Sequence, residues 1–300
     1  MRFPSVTIEG SILSADILER ISGGDYPGQS RDDFGLDSAV RDEIAQCWAD
    51  ARALWNVFRR QMEKEVRSDP NGTTRTRNLW IVPLLELLGY DLELHRRALV
   101  IQDKTYAVSH RAGNRGDSPV HIIGFAEKIE ARDSRLRSSM SPHSMVQEYL
   151  NLSEEQLYAI VTNGLQLRVL RDASRLIRLS YAEFDLVQIL DDELFSDFAL
   201  LYRTLHASRL PADSGDPSSC LLERYHQDAL EDGARIREGL SSAVEEALKM
   251  LGNGFLENEG NKVLIESVAR QEADADSYYH GLLTLIYRIL FLLGIEERGL

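Results

Sequence analysis

The side chains best suited to chemistry in this 300-residue chain are cations, and they are concentrated in its middle. Residues 59–178 carry 19 Lys and Arg against 15 Asp and Glu. Residues 1–58 carry 5 against 10 and residues 181–300 carry 10 against 23, within a net charge of −14. Clustered Lys and Arg are what neutralising a phosphate backbone requires, so a nucleic-acid partner should touch the segment from Arg59 to Arg178. An excess of this size also suits an ordinary solvated surface. Arg75 and Arg77 stand at the start of an apolar helical run, where cations oppose the helix dipole; a bound phosphate or an exposed first turn would each account for them. With Arg96, Arg97, Arg111, Arg115 and the cluster Arg132, Arg135 and Arg137, they are the cations that such a partner, if there is one, would meet.

Several kinds of chemistry are excluded by what is missing. The sequence has no phosphate-cradling P-loop, no dinucleotide Gly-x-Gly-x-x-Gly, no Gly-x-Ser-x-Gly elbow and no His-Glu-x-x-His. The seven histidines have no ligand spacing, so each is read as structural and no metal site is expected. Cys47 and Cys220 match no metal or disulfide framework and read as reduced, buried thiols.

These residues need elements to position them. Val40, Ile44, Cys47, Trp48, Ala51, Leu54, Trp55, Phe58 and Met62 repeat at helical spacing, and the first 39 residues read as a short element and a loop. Asp69-Pro70-Asn71-Gly72 makes a turn before a helix over Leu79–Leu88. Short runs of β-formers predict strands at Asp91–His95, Thr105–Ser109, Val120–Phe125, Leu157–Thr162, Leu165–Leu170 and Ser180–Asp185, with a helix over 142–152 between the third and fourth. Asn163-Gly164 reads as a type I′ hairpin turn. A helix between strands implies a parallel pair joined by a crossover, hence a mixed sheet. After Leu186 the chain predicts only helices: Val187–Ser208, Leu221–Leu251, Lys262–Gln271 and Ser277–Ile295. The fold class expected is α+β, with residues 1–69 as an N-terminal segment, 70–186 as an α/β module and 187–300 as an all-α module. The closing helix is apolar nearly all round but too short for a bilayer and interrupted by Arg288. It reads as a core helix whose cover lies beyond residue 300 or on a partner. With no signal peptide and no long apolar run, a cytoplasmic location is expected.

One stretch carries a family resemblance. Ser141-Pro142-His143-Ser144-Met145-Val146-Gln147-Glu148-Tyr149-Leu150, then Tyr158 to Thr162-Asn163-Gly164, then Leu165 to Arg171, resembles the region before the methylase domain of large restriction-modification and phage-defence adenine DNA methyltransferases, of type IIG-like, BREX-like or DISARM-like kind. In order and spacing the likeness continues through Tyr181-Ala182-Glu183-Phe184-Asp185, Glu193-Leu194-Phe195 and Leu290 to Arg298. The resemblance implies a PD-(D/E)xK nuclease-like core with the Gln147/Tyr149 helix beside its site, although both side chains also suit the outer face of a helix. Such a nuclease sets an Asp, a second acid and a Lys at adjacent strand ends; the acids hold a magnesium ion and the Lys offsets charge on phosphate. Asp91, Asp103 and Asp117 are available as the first acid, but the strand that should carry the pair reads Val120-His121-Ile122-Ile123-Gly124-Phe125. Glu127 and Lys128 are adjacent, so on a strand they would face opposite sides. The nuclease site is therefore expected to be degenerate. The family's S-adenosylmethionine-dependent chemistry has no Asn-Pro-Pro-Tyr motif here and would belong to a following domain or a partner. The resemblance thus implies a non-catalytic module that contacts DNA weakly or docks a protein partner. An active magnesium-dependent nuclease and a pure protein-interaction module are the rivals.

Overall fold

The computed structural model of the chain describes residues 3–132, 140–172, 180–213, 215–270 and 274–297. Strand β1 (Val6–Glu9) precedes helix α1 (Ala15–Gly23), which starts where the Ser14 hydroxyl accepts from the Ile17 amide. A single turn, α2 (Arg31–Phe34), is held by a reciprocal capping box between Ser30 and Asp33. In α3 (Val40–Met62) the buried Val40, Ile44, Cys47, Ala51, Trp55 and Phe58 follow the helical repeat. Helix α4 (Thr73–Thr76) passes through a π-helical turn, Arg77–Ile81, into α5 (Val82–Leu87). Pro83 cannot donate to a preceding carbonyl, and a widened turn is one way a helix accommodates that.

Strands β2 (Leu92–Leu94), β3 (Leu99–Ile101), β4 (Lys104–Tyr106), β5 (His110–Ala112) and β6 (Ser118–Ile122) follow, then helix α6 (Pro142–Leu152) and strands β7 (Tyr158–Thr162), β8 (Gln166–Arg171) and β9 (Tyr181–Asp185). Helices α7 (Leu186–Asp191), α8 (Phe195–Leu205), α9 (Leu221–Glu257), α10 (Lys262–Ala269) and α11 (Ala275–Glu297) complete the chain. The fold is α+β: a seven-stranded sheet in the order β1-β9-β8-β7-β6-β5-β2, followed by a helical C-terminal region. Every pair in the sheet is antiparallel except β6 and β7, which run parallel across the α6 connection. Strands β3 and β4 form a separate hairpin.

The two sheet faces bury different sets. Val120, Ile122, Ile160, Leu167, Val169 and Phe184 belong to the main core with Trp55, Phe58 and Trp80, whose rings lie within 5.3 to 6.3 Å of one another. On the other face Ile123, Ala159, Val161 and Leu170 share a smaller core with Val146 and Leu150 of α6 and Tyr106 of the hairpin. Alternation along each strand produces this division. Both thiols are buried and free, and burial pushes Cys47 up to about 12 and Cys220 up to about 11.

The chain forms two compact units, Met1–Leu230 and Glu231–Leu300. The first takes in the beginning of the chain, because β1 pairs with β9 through Val6↔Phe184 to Glu9↔Tyr181. Its extent differs from the boundaries near 69 and 186 that the sequence suggested. Other differences have local causes. The expected strand over Thr105–Ser109 is replaced by β4 and β5, because Ser109 uses its hydroxyl on the neighbouring strand, accepting from the Ile122 amide at 2.8 Å and donating to the Val120 carbonyl at 3.2 Å. The expected helix over Val187–Ser208 divides into α7 and α8 at Glu193, which adopts φ 54°. The strand expected over Val120–Phe125 ends at Ile122, although the Ile123 amide still donates to the Thr162 carbonyl at 2.9 Å.

Within the second unit, Leu282 and Ile286 of α11 are buried and the Tyr278 hydroxyl donates to the Gly252 carbonyl at 2.8 Å. Most of α11 is open, with Tyr287, Phe291, Leu292 and Leu293 all more than half exposed. The expected core helix is therefore not packed all round. Asp276–Glu296, 21 residues long with an 18-residue stretch of mean hydropathy 1.4, is by length and composition apolar enough to cross a membrane, against the expectation that the run is too short.

A buried ion pair ties β8 to the first turn of α9. Arg171 Nε and Nη2 each donate to Glu223 at 2.8 Å, and the Tyr158 hydroxyl donates to the same carboxylate at 2.7 Å. Burial pushes the Glu223 carboxyl up, but the bonds from Arg171, Gln227 and Tyr158 outweigh it and leave it below the ordinary glutamate range. A carboxyl held down in the folded state stabilises above its unfolded pKa, and that contribution disappears as pH falls through the folded value. Glu223→Gln should therefore cost about 3 kcal/mol at neutral pH by stranding Arg171, and less in acid. Urea unfolding at pH 7 and pH 4 checks this; an equal loss at both would contradict it.

Candidate nucleic-acid interface

Beyond β6 the chain runs Ile123-Gly124-Phe125 against the start of α4. Gly124 lies so close to Asn71 that a Cβ there would overlap the Asn71 carbonyl, and a Cβ on Gly72, at φ 76°, would overlap the Phe125 ring. Hydrogen bonds close the seam: the Ala126 amide donates to the Asn71 carbonyl at 3.2 Å and the Phe125 amide to Thr76 Oγ1 at 3.1 Å. A cleft of about 620 Å³ opens beside this seam, bounded by β6, the segment to Arg132 and the first turn of α6.

The described lining of the cleft is cationic. It includes Arg77, Lys128 and Arg132, with Glu127 as its single carboxylate. Glu127 is already engaged, its Oε2 accepting from the Gly124 amide at 2.7 Å. His121 also lines the cleft and is only 9% exposed. Among the described residues, His121 Nδ1 and Arg77 Nε are buried and lack a hydrogen-bond partner. Burial, and then the charge of Arg77, hold the His121 imidazole down to about 4, so it is neutral at physiological pH. Burial also lowers Arg77. The helix starts nearby add little, since the Asp69 carboxylate accepts from the Thr74 and Arg75 amides and the Ser141 hydroxyl from the Ser144 amide. The polar capacity of the cleft is thus that of its side chains.

The acids considered from the sequence do not converge. Asp91 is exposed at the start of β2, Asp103 sits at φ 63° in the β3–β4 turn, and Asp117, at φ 56° in the β5–β6 turn, pairs with Arg111 at 3.1 Å. Of the nuclease candidates only Glu127 and Lys128 line the cleft. Among the described residues no group of three His, Cys, Asp or Glu is placed to hold a metal ion. Gln147 and Tyr149 lie neither on an outer face nor at the cleft. Both are buried beneath α6, where Gln147 Nε2 donates to Asn151 Oδ1 and to the Arg171 carbonyl, each at 2.9 Å, and the Tyr149 ring meets Tyr106 at 5.7 Å.

The expected DNA-contacting arginines divide in the same way. Arg75 is not free for a phosphate: it donates to Asp69 at 3.1 Å and to the carbonyls of Gln61, Lys64 and Asp69, and it lies 5.0 Å over the Phe125 ring. Arg111 is paired with Glu93 at 2.6 Å as well as with Asp117. Arg115 is half-buried, and Arg96 and Arg97 are exposed between β2 and β3. Arg77 and the exposed Arg132 reach the cleft, whereas Arg135 and Arg137 lie outside the described residues.

Sequence reasoning missed His121, which shares its strand face with Ile123 opposite Val120 and Ile122; period-two alternation was the signal available. The arginine in the strand after Asn163-Gly164 proves to be a buried pin. Arg168 pairs with Glu183 and with Glu130 at 2.8 Å and lies 4.3 Å over Tyr181. The Asn163-Gly164 turn is not type I′, since only Gly164 has positive φ, at 83°. Asn163 Oδ1 instead accepts from the Leu165 and Gln166 amides at 3.0 and 2.9 Å, and its Nδ2 donates to the Glu127 carbonyl at 3.0 Å.

Because Arg75 serves the seam, Arg75→Ala should destabilise the fold by about 2–3 kcal/mol, the scale of lost hydrogen bonds to a charged group. Thermal unfolding, alongside DNA retention measured well below the transition, checks this; lost retention without lost stability would return Arg75 to the interface. No family model, curated protein or solved structure matches the chain.

Proposed function

We propose that this chain is a non-catalytic module of a DNA-modifying restriction or phage-defence methyltransferase, and that it holds DNA weakly by its backbone at the cationic cleft. The observation that carries the reading is the company of Arg77, Lys128 and Arg132 in one cleft with, among the described residues, a single, internally bonded carboxylate. The order of elements supports it. A helix, the antiparallel run β2-β5-β6, the α6 connection and a parallel β7 keep the order of helix, strands, helix and strand that the sequence pattern predicts. On the cleft side of β6 and its extension stand His121 and Ile123, where that chemistry would need an acid and a lysine. One engaged glutamate does not make a magnesium site, so no metal-dependent step is derived for these residues. S-adenosylmethionine would be held by a methylase segment or partner subunit, since this sequence lacks the motif that grips the target adenine.

A second reading, docking of a protein partner, is favoured by the open apolar side of α11. Duplex binding at 50 and 200 mM salt separates the two. Under the DNA reading, affinity falls steeply with salt, and Lys128→Ala and Arg132→Ala each weaken it uniformly across sequences and lower the salt slope by about 1. No retention at low salt would leave the docking reading. Magnesium-dependent cleavage abolished by Glu127→Ala would replace both with a nuclease.

A further inference from the structure

We infer that the cleft beside β6 is a metal-independent site for a phosphate monoester of nucleotide size, gripped by Arg77, His121, Lys128 and Arg132. The inference deepens the DNA-contact reading and rests on the same cationic lining, to which it adds two buried nitrogens. Buried polar atoms are nearly always hydrogen-bonded, and an orphan calls for a partner. Here two nitrogens, His121 Nδ1 and Arg77 Nε, are buried without one among the described residues, and both side chains line the same cleft. Arg77 and its neighbours are donors of the type that charge-assisted bonds to phosphate oxygens use.

Charge selects the ligand class. Three cations against one carboxylate leave two net positive charges in the described lining. A phosphate monoester carries about −1.5 to −2 at neutral pH, whereas a backbone diester carries only one negative charge. Shape agrees with a ligand larger than the phosphate itself: about 620 Å³ falls within the 300–1,000 Å³ of small-molecule pockets. Ile123, Met140 and Met145 add apolar lining against which a base can lie. The monoester has two chemical sources, a free nucleotide or the 5′-phosphorylated end of a DNA strand.

Calorimetric titration of the whole chain in EDTA, with dAMP, adenosine and inorganic phosphate, tests the inference. It predicts that dAMP binds without divalent metal, that adenosine binds at least tenfold more weakly, and that the exposed-residue variants Lys128→Ala and Arg132→Ala each weaken dAMP about tenfold or more, the scale of one lost charge-assisted bond. His121→Gln can disturb packing, so the direct probe of that residue is its imidazole ¹⁵N signal in the unaltered protein, which should shift on adding dAMP. Absence of dAMP and phosphate binding, a requirement for magnesium, or a static His121 signal at saturation would each overturn the inference. Duplex retention without dAMP binding would overturn it and leave the DNA-contact reading standing. Binding of dAMP without duplex retention would support it while removing that reading. Competition between dAMP and a 5′-phosphorylated oligonucleotide, against its unphosphorylated counterpart, assigns the source; tighter binding by either phosphorylated ligand supports the site.

Discussion

Two backbones meet at Gly124 and Asn71 with no room for a side chain between them, and the corner of the first unit that carries the cleft is built on that contact. It sets the first turn of α4 against the end of β6 and brings Phe125 over Gly72, beside Phe58 of α3. Further along the same helical run, the Trp80 indole donates to the Gly164 carbonyl at 2.8 Å, so the run is fastened to the sheet a second time at the β7–β8 turn. The parallel pairing of β6 with β7 keeps these two fastenings at one end of the sheet. The cleft lies beside that doubly anchored corner.

Charge is spent differently on the two sides of the molecule's polar inventory. Arg75, Arg168, Arg171 and Arg209 are enclosed by acceptors: Arg168 by Glu183 and Glu130, Arg171 by Glu223, and Arg209 by the Gly28 and Asp33 carbonyls with the Phe34 ring 3.8 Å below it. Such residues hold elements together and are unavailable to a ligand. Arg77 differs in lining a cleft while its Nε lacks an acceptor among the described residues, which is the distinction between a structural cation and a candidate recognition group.

Much of the fold could be read from pattern. The repeat in α3, the helix over 142–152 and the strand runs ending at Thr162 and Asp185 follow from spacings of 3.6 and 2 that burial imposes. The mixed sheet followed from placing one helix between strands. What pattern could not supply were contacts between distant residues. Nothing in Val6-Thr7-Ile8-Glu9 announces that its partner is Tyr181–Asp185, and nothing around Arg75 announces that Asp69 and the Gln61 and Lys64 carbonyls engage it while Arg77 Nε is left without an acceptor among the described residues. That Val120 to Phe125 carries no acid and no lysine was legible, because residue type alone decides it. The cleft itself was less so, since His121 looks like any strand histidine until its face is known.

The π-helical turn at Arg77–Ile81 has a consequence for how that cleft is furnished. In a regular α-helix, positions three and four residues apart share one side, so Arg77 would fall in line with the fully buried Trp80 and Ile81. The wide turn carries an i→i+5 bond and so acts as a phase shift, turning the segment before it relative to the segment after it. One continuous helix can then bury an aromatic stripe along its later turns while presenting a guanidinium sideways from its earlier ones. The direction in which Arg77 points is therefore a property of helical phase, and a single-residue deletion in that turn would rotate the cation out of the cleft without changing any side chain in it.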